Sequence, residues 1–260
     1  MARASRESRS ALGIGNELTR DAVAAAPGSR LGVGAPAVVL DDVAKSYLRA
    51  GRTVEALRPL RLSVEHGELA AIVGPNGAGK TTALKILATL VEPSSGRARV
   101  CGHDVVAEPG AVRRFVGASF GSGRSFYWRL TARQNLWFFG RLRLIVGPRI
   151  RDEIEDVAWE LGLGLILDLP VRRLSRGALA RLSIARAFLG RPKVLLLDEP
   201  FALIDPDGRE LVRHALGRRV ADGCAAVVSS HHVTAVPDCG RNVELNVGAG
   251  AAPARACTND

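Results

Sequence analysis

The chain has 260 residues, of which 47% are hydrophobic and 24% charged, and it carries a formal net charge of +10. This composition suits a globular protein with a full core, and no apolar stretch reaches the roughly 20 residues needed to cross a bilayer. The apolar run behind the N-terminal arginines is too short for a signal peptide, and the four cysteines show neither Cys-x-x-Cys pairs nor zinc-like spacing. We therefore expect a soluble cytoplasmic protein without a disulfide framework.

The positive charge has two interpretations. It can favour nucleic acid or an anionic membrane surface, or it can reflect an arginine-rich composition typical of a GC-rich coding sequence. The basic residues are dispersed, and no basic block carries interleaved aromatic side chains. We therefore expect no specific nucleic-acid partner.

The first half of the chain begins with a segment that lacks periodicity, residues 1–35, which we interpret as a disordered tail. A strand pattern begins at Val38–Leu40, and the short apolar run Leu69–Val73 predicts a buried strand. A helix is predicted over Thr81–Leu90, before Pro93, and another strand over Phe115–Phe120.

The middle of the chain is helical by its apolar periodicity, with helices predicted over Thr131–Val146, Arg151–Leu161 and Ser175–Leu189. Alternating elements follow it: strand Val194–Leu197, helix Asp207–Val220, strand Ala225–Val228, and a flexible tail over 248–260. Alternation of strand and helix favours a mostly parallel sheet covered by helices. The helical middle is predicted to be a subdomain inserted at about residues 121–185.

A phosphate-binding loop is predicted directly after the strand Leu69–Val73. Its residues fit G-x-x-x-x-G-K-[ST], and Thr82 follows them: Gly74, Pro75, Asn76, Gly77, Ala78, Gly79, Lys80 and Thr81. Glycines let consecutive N–H groups turn towards phosphate oxygens, and the helix that follows directs its N-terminus at the same anion. We expect Lys80 to reach the β- and γ-phosphates and Thr81 to ligate Mg²⁺. The alternative, a glycine-rich turn that binds nothing, does not explain the position between strand and helix.

Two adjacent acids end the apolar strand that leads to Asp198, which lies 118 residues after Lys80. A buried strand beside the phosphate loop would bring Asp198 to the Mg²⁺ shell. Glu199 would point to the other face of the strand and polarise the attacking water.

Between these motifs lies Leu174-Ser175-Arg176-Gly177-Ala178, which resembles the signature motif of the ABC ATPase family, usually Leu-Ser-Gly-Gly-Gln. The resemblance covers roughly residues 36–245, so an ATPase domain is expected over 36–247, with a P-loop NTPase core and a mostly parallel sheet. It also implies the inserted helical subdomain and a small antiparallel β part on the N-terminal side. Its cofactors would be ATP and Mg²⁺.

The resemblance assigns further positions. Tyr47 is similar to the family's adenine-stacking aromatic residue, although simple packing is an alternative role. Asp205 is similar to the D-loop acid, and His231 follows Ser229-Ser230 as the family's switch histidine follows Ser-Thr, which favours it over His232. In the family, two such domains pack head to tail, so Ser175 and Gly177 would contact ATP held by the other subunit.

The chain departs from the family pattern at the usual Q-loop glutamine, where Ser122 stands. We expect the Ser122 hydroxyl to take that place near Mg²⁺. In the signature, Arg176 and Ala178 replace Gly and Gln; Arg176 is expected to point to solvent, with phosphate binding as the alternative. The aromatic run 126–128 is expected either to receive a permease helix or to pack within the helical insertion.

Together these patterns predict the ATPase subunit of an exporter-type ABC transporter, an Mg²⁺-dependent enzyme. Its expected partners are an integral-membrane permease and a second ATPase subunit, most simply its own copy. It would lie in the cytoplasm, peripheral on the inner face of the cell membrane. Two alternatives remain open: a soluble non-transport ABC-type ATPase, and a regulatory ATP-binding protein that hydrolyses weakly.

Overall fold

The computed structural model describes residues 35–121, 125–231 and 241–245. Within these ranges, nine strands run in chain order: β1 Val38–Arg49, β2 Arg52–Val64, β3 Leu69–Val73, β4 Ser95–Val100, β5 His103–Asp104, β6 Val116–Phe120, β7 Val194–Asp198, β8 Ala225–Ser230 and β9 Arg241–Glu244. Six α-helices accompany them: α1 Lys80–Leu87, α2 Pro109–Phe115, α3 Ala132–Leu142, α4 Arg149–Glu160, α5 Arg176–Phe188 and α6 Pro206–Ala221. In this part of the chain no helix combines the length and apolarity that a bilayer crossing requires.

The strands form two sheets. One is antiparallel, in the order β2-β1-β4-β5, and the other has the order β6-β7-β8-β3-β9, with every neighbouring pair parallel. The three longer helices between β6 and β7 belong to the helical insertion. The predicted fold class, a parallel core with a helical insertion and a smaller antiparallel β part, is confirmed.

The parallel sheet is buried on both faces, which explains its continuous apolar strands. In β7, Leu195 and Leu197 pack in one core with residues of α3–α6, while Val194 and Leu196 pack in a second core with α1 and the antiparallel sheet. β3 and β8 divide their side chains between the same two cores. This double coverage holds the carboxyl ends of β3, β7 and β8 side by side.

Helix α3 ends earlier than its apolar pattern predicts. The prediction extended to Val146, but the helix stops at Leu142, and Leu144 adopts a left-handed conformation with φ 61°. Arg143 donates from Nη1 to the carbonyl of Val116 at 3.0 Å, and Ile145 is buried. These tertiary contacts outweigh the helical pattern, and the chain turns away to begin α4.

Three predicted helices lie within two residues of their expected ends, namely α4, α5 and α6. Sequence periodicity did not reveal β2, β4, β5, α2 or β9. β2 and β4 expose many of their side chains, so neither shows a continuous apolar run.

Candidate functional site

The loop between β3 and α1 is shaped by glycines. Gly77 and Gly79 have φ values of 81° and 97°, a region that residues with a Cβ rarely adopt. A Cβ at Gly79 would lie 2.6 Å from the carbonyl oxygen of Ala56, and one at Gly74 would collide with the carbonyl of Leu245. The conformation of the loop therefore depends on glycine, through positive φ values at Gly77 and Gly79 and through close backbone packing at Gly74 and Gly79.

Lys80 begins α1 and is 6% exposed. Its Nζ donates to the carbonyl oxygens of Gly74 at 2.6 Å and Pro75 at 3.1 Å, and it lies 3.4 Å from Nδ1 of His231. Glu199 Oε1 is 3.7 Å away. The ammonium group is thus held over the loop by acceptors of the protein itself.

Asp198, at the end of β7, lies beside Thr81. The Thr81 hydroxyl donates to both carboxylate oxygens at 2.9 and 3.0 Å, and the Ser229 hydroxyl donates to Oδ1 at 2.6 Å. A hydroxyl and a carboxylate are hard oxygen donors of the kind that Mg²⁺ prefers. This pair fits the magnesium ion that the sequence predicts.

Glu199 has a left-handed backbone, with φ 50°, which is strained for a residue that carries a Cβ. Its N–H donates to Ser229 Oγ at 2.9 Å, and its Oε1 lies 3.1 Å from Nε2 of His231. Burial raises the pKa of Glu199, although the electrostatic influence of the neighbouring His231 and Lys80 opposes that shift. The strained backbone directs the Glu199 carboxylate towards Lys80 and His231, away from the Thr81–Asp198 pair.

His231 connects these groups through both ring nitrogens. Nδ1 faces the Lys80 ammonium, which can only donate, and Nε2 faces the Glu199 carboxylate, which can only accept when ionised. A neutral imidazole protonated on Nε2 suits both neighbours, but the 3.1 Å approach to Glu199 Oε1 is a close contact and not a hydrogen bond: among the described residues this buried oxygen has no hydrogen-bond partner. His232, the alternative considered from the sequence, lies outside the described residues.

A cavity of about 430 Å³ opens over the loop, a volume in the range of small-molecule sites. Its walls are Tyr47, Val54, Glu55, Ala56, residues 76–82, Glu199 and His231. Tyr47 is 38% exposed, and Nζ of Lys45 lies 5.0 Å from its ring centroid. The cavity therefore offers a phosphate cradle at one end and a partly free aromatic ring at the other.

The other predicted nucleotide contacts lie apart from this cavity. Ser175 caps α5 by accepting a hydrogen bond from the N–H of Ala178, and Gly177 packs close to the carbonyl of Leu203. Asp205 caps α6 and is near Gly177. Ser175, Gly177 and Asp205 are all described, and none of them lines the cavity of their own chain. Ser122 lies outside the described residues.

Sequence analysis missed two contributors. Ser229 was noted only as part of the segment before His231, yet its hydroxyl joins Asp198 to the backbone of Glu199. Arg186 of α5 lies 5.0 Å from the ring centroid of Phe126 and 4.9 Å from that of Phe139, and it donates to the Ser125 hydroxyl at 2.5 Å. Burial lowers the pKa of Arg186. These contacts attach Ser125 and Phe126, which follow the Ser122 position, to α5, the helix that begins in the signature motif.

Comparison with known proteins extends these observations. The family profile described as ABC transporter matches residues 57–202. The ABC transporter ATP-binding protein NatA of Bacillus subtilis (strain 168) is 34% identical over 194 residues, which cover 75% of this chain and 79% of NatA. The daunorubicin resistance ATP-binding protein DrrA3 of Streptomyces coeruleorubidus is 36% identical over 197 residues, which cover 76% of this chain and 61% of DrrA3.

A solved structure has the same fold. It is the dimeric post-hydrolysis state of the ATP-binding cassette MJ0796 bound to ADP and Pi, with a TM-score of 0.77 and 24% sequence identity. The match covers 86% of this chain and 100% of that structure. At this identity the likeness supports the fold alone.

Proposed function

Because this chain belongs to the ABC transporter family of ATP-binding proteins, we propose that it hydrolyses ATP in an Mg²⁺-dependent reaction to drive export through a separate membrane permease. The observation that carries this proposal is the contact set around Lys80. Carbonyls of the phosphate loop, the Glu199 carboxylate and the His231 imidazole surround its ammonium group, and the next residue, Thr81, contacts the Asp198 carboxylate. The proposed reaction requires each of these groups.

The proposed roles follow from chemistry. The N–H groups of the loop and Lys80 bind the phosphates of ATP, and Tyr47 stacks on adenine, since a flat π face suits a base. Thr81 and Asp198 hold Mg²⁺, which neutralises charge on the phosphates when bound. Glu199 accepts a proton from the attacking water, and its raised pKa suits that task. His231 orients the Glu199 carboxylate through Nε2.

We also propose that the chain works as a dimer. Ser175, Gly177 and Asp205 share one surface but do not reach the cavity of their own chain. A head-to-tail partner would bring the N-terminus of α5 to a γ-phosphate held by the other subunit. The cassette MJ0796, which has the same fold, was solved as a dimer.

Export as the direction of transport draws on the relative DrrA3, which is named for daunorubicin resistance. A permease partner is favoured by a groove of about 970 Å³ between α3 and α4, which Leu130, Trp137 and Phe138 help to line. Tyr127 and Trp128 are about half exposed close to it. An apolar groove of this size suits a helix from a membrane subunit at the inner face of the membrane.

Nucleotide titration tests the cradle. We expect Lys80→Ala to abolish ATP affinity, because the phosphates lose their cation. Lys85→Ala is the matched control, since Lys85 lies on the same helix but does not line the cavity. Undiminished ATP binding by Lys80→Ala would refute the assignment of the loop.

A second experiment tests catalysis and partner together. Glu199→Gln should bind ATP, hydrolyse it at least about tenfold more slowly and accumulate as an ATP-bound dimer. Tagged Glu199→Gln, incubated with ATP and solubilised host membranes, should retain a polytopic membrane protein that Lys80→Ala does not. Recovery of soluble proteins or ribosomes alone, with the dimer intact, would point to a non-transport ATPase.

A further inference from the structure

The connection between α3 and α4 exposes aliphatic side chains to solvent. We name residues 142–146 the apolar loop. Leu142, Leu144 and Val146 are 64%, 83% and 61% exposed, while the intervening Ile145 is 8% exposed. Three large apolar side chains on one short segment form a patch that water solvates poorly. In a monomer surrounded by water, these exposed side chains contribute no burial energy. We therefore expect another surface to cover the patch.

The apolar loop is held in place by its own contacts. The N–H of Ile145 donates to the carbonyl of Gly140 at 3.1 Å, and that of Leu144 to Arg141 at 2.9 Å. Between the exposed side chains, the Arg143 guanidinium reaches the carbonyl of Val116. With Arg143 and Ile145 fastened inwards, the loop cannot fold its exposed side chains into the core without breaking these contacts.

Arginines flank the loop, whereas the acidic residues of α4 begin at Asp152, and one of them, Glu153, offsets the charge of Arg143. From Gln134 to Arg151 the sequence contains no aspartate or glutamate. Arg141, Arg149 and Arg151 flank the loop, and none has a carboxylate within 4.0 Å among the residues that the structure describes. Arg133, outside this stretch, pairs with carboxylates of Glu155 and Asp168. The arginines beside the loop therefore keep their charge available for an anionic partner.

The apolar loop borders the groove between α3 and α4, and Trp137, which helps to line that groove, extends the apolar surface towards the loop. Trp137 is 51% exposed on the last turns of α3, and the Arg141 guanidinium lies 5.7 Å from its ring centroid. Tryptophan with an arginine beside aliphatic side chains is the composition of proteins that sit at the lipid headgroup layer. A bilayer surface supplies apolar chains and anionic phosphates in the same place.

We propose that the apolar loop inserts into the headgroup layer of an anionic bilayer. Leu142, Leu144 and Val146 reach the acyl boundary, and the three flanking arginines pair with lipid phosphates. This contact rests on the membrane association proposed above, but it needs no permease. It gives the ATPase chain a second point of attachment that fixes its orientation on the membrane.

Vesicle flotation tests the contact. The purified chain should bind vesicles of phosphatidylcholine and phosphatidylglycerol and bind phosphatidylcholine alone much more weakly. The triple variant L142S/L144S/V146S should lose about tenfold or more of this binding, because its apolar side chains no longer enter the lipid. Leu165→Ser is the control, since Leu165 is fully exposed in the same helical region.

A second set of variants separates the loop from overall charge. R141Q/R149Q/R151Q should lower binding by about fivefold for each arginine removed. R97Q/R99Q/R114Q removes the same charge from exposed positions elsewhere and should bind almost as the wild type does. Equal losses in the two variants, or wild-type binding by L142S/L144S/V146S, would overturn the proposal.

A probe on the loop identifies what covers it. An environment-sensitive fluorophore on L144C, in a C239S/C257S background, should shift to shorter wavelength with protein-free anionic vesicles, and one on L165C should not. A shift that requires permease in the vesicles would assign the loop to a protein contact and overturn the lipid proposal. The ATPase rate of the same samples separates the two proposals. If the chain hydrolyses no ATP, the proposed function is refuted, whereas vesicle binding reports on the loop alone.

Discussion

The hydroxyl of Ser229 offers the sharpest test of how the site is held together. Ser229 is fully buried on β8, donates to Asp198 Oδ1 at 2.6 Å and accepts from the N–H of Glu199 at 2.9 Å. Ser229→Ala removes both bonds at once. It leaves a strained backbone N–H without its partner and a carboxylate with one donor fewer.

The magnitude follows from the two bonds. A neutral hydrogen bond contributes about 1 kcal/mol to stability and one to a charged group about 1.5–3 kcal/mol, so Ser229→Ala should lower the free energy of unfolding by about 2–4 kcal/mol. If about 1.4 kcal/mol of this loss falls on the orientation of Asp198, the Mg²⁺ concentration for half-maximal ATPase activity rises about tenfold. Turnover should also fall, because the Glu199 backbone is no longer fixed.

Ser183→Ala is the matched control. Ser183 is also buried, and its hydroxyl makes a neutral bond of 2.8 Å to Ser119, whereas no hydrogen bond joins it to Asp198 or Glu199 among the described residues. We expect it to cost about 1 kcal/mol in urea unfolding and to leave the Mg²⁺ dependence unchanged. An Mg²⁺ titration of ATPase activity that gives the same curve for Ser229→Ala and the wild type would refute the proposed positioning role.

Three further predictions concern other parts of the chain. Gly79→Ala should lower ATP affinity and cost about 1–3 kcal/mol in urea unfolding, since it combines left-handed strain with a close approach to Ala56; unchanged ATP binding would contradict the cradle. Arg186→Met should lower turnover more than ATP affinity, with partial rescue by Arg186→Lys, whereas equal losses in both would indicate general destabilisation. Burial raises the pKa of Cys101 to about 11 and that of Cys224 to about 12, so both thiols should resist alkylation at neutral pH until urea unfolds the chain; rapid labelling of the native protein at either position, located by mass spectrometry, would contradict their burial.

The sequence predicts best what short-range physics decides. The strand Leu69–Val73 is placed to the residue, because it is apolar on both faces and ends at a glycine-rich turn. The run from Val194 to Asp198 is equally clear, since a strand covered on both faces of a parallel sheet shows as a nearly continuous apolar run. In both cases the motif residues follow directly after the strand. The sheet topology then brings the ends of the two strands together.

Features that depend on distant partners left no such pattern. The end of α3 is set by Arg143 and Ile145 meeting groups outside the helix, so periodicity alone extends it too far. β2 pairs with β1 through several register shifts and exposes much of one face, which obscures any alternation. Arg186 contacts Phe139 and Phe126, which lie 47 and 60 positions earlier in the chain, so no local sequence pattern connects them.

The contacts around Lys80 connect binding to catalysis in the proposed mechanism. Its ammonium group donates hydrogen bonds to the carbonyl oxygens of Gly74 and Pro75 and lies beside Glu199 and His231. A phosphate bound by Lys80 must exchange with these protein acceptors, and it competes directly with the Glu199 carboxylate for the same cation. Phosphate binding therefore separates the Glu199 carboxylate from the ammonium group, while Nε2 of His231 remains next to Glu199 Oε1. In this mechanism the Glu199 carboxylate becomes available to a water molecule only when phosphate has replaced it at Lys80. Glu199 can therefore act as a base only when the substrate is bound.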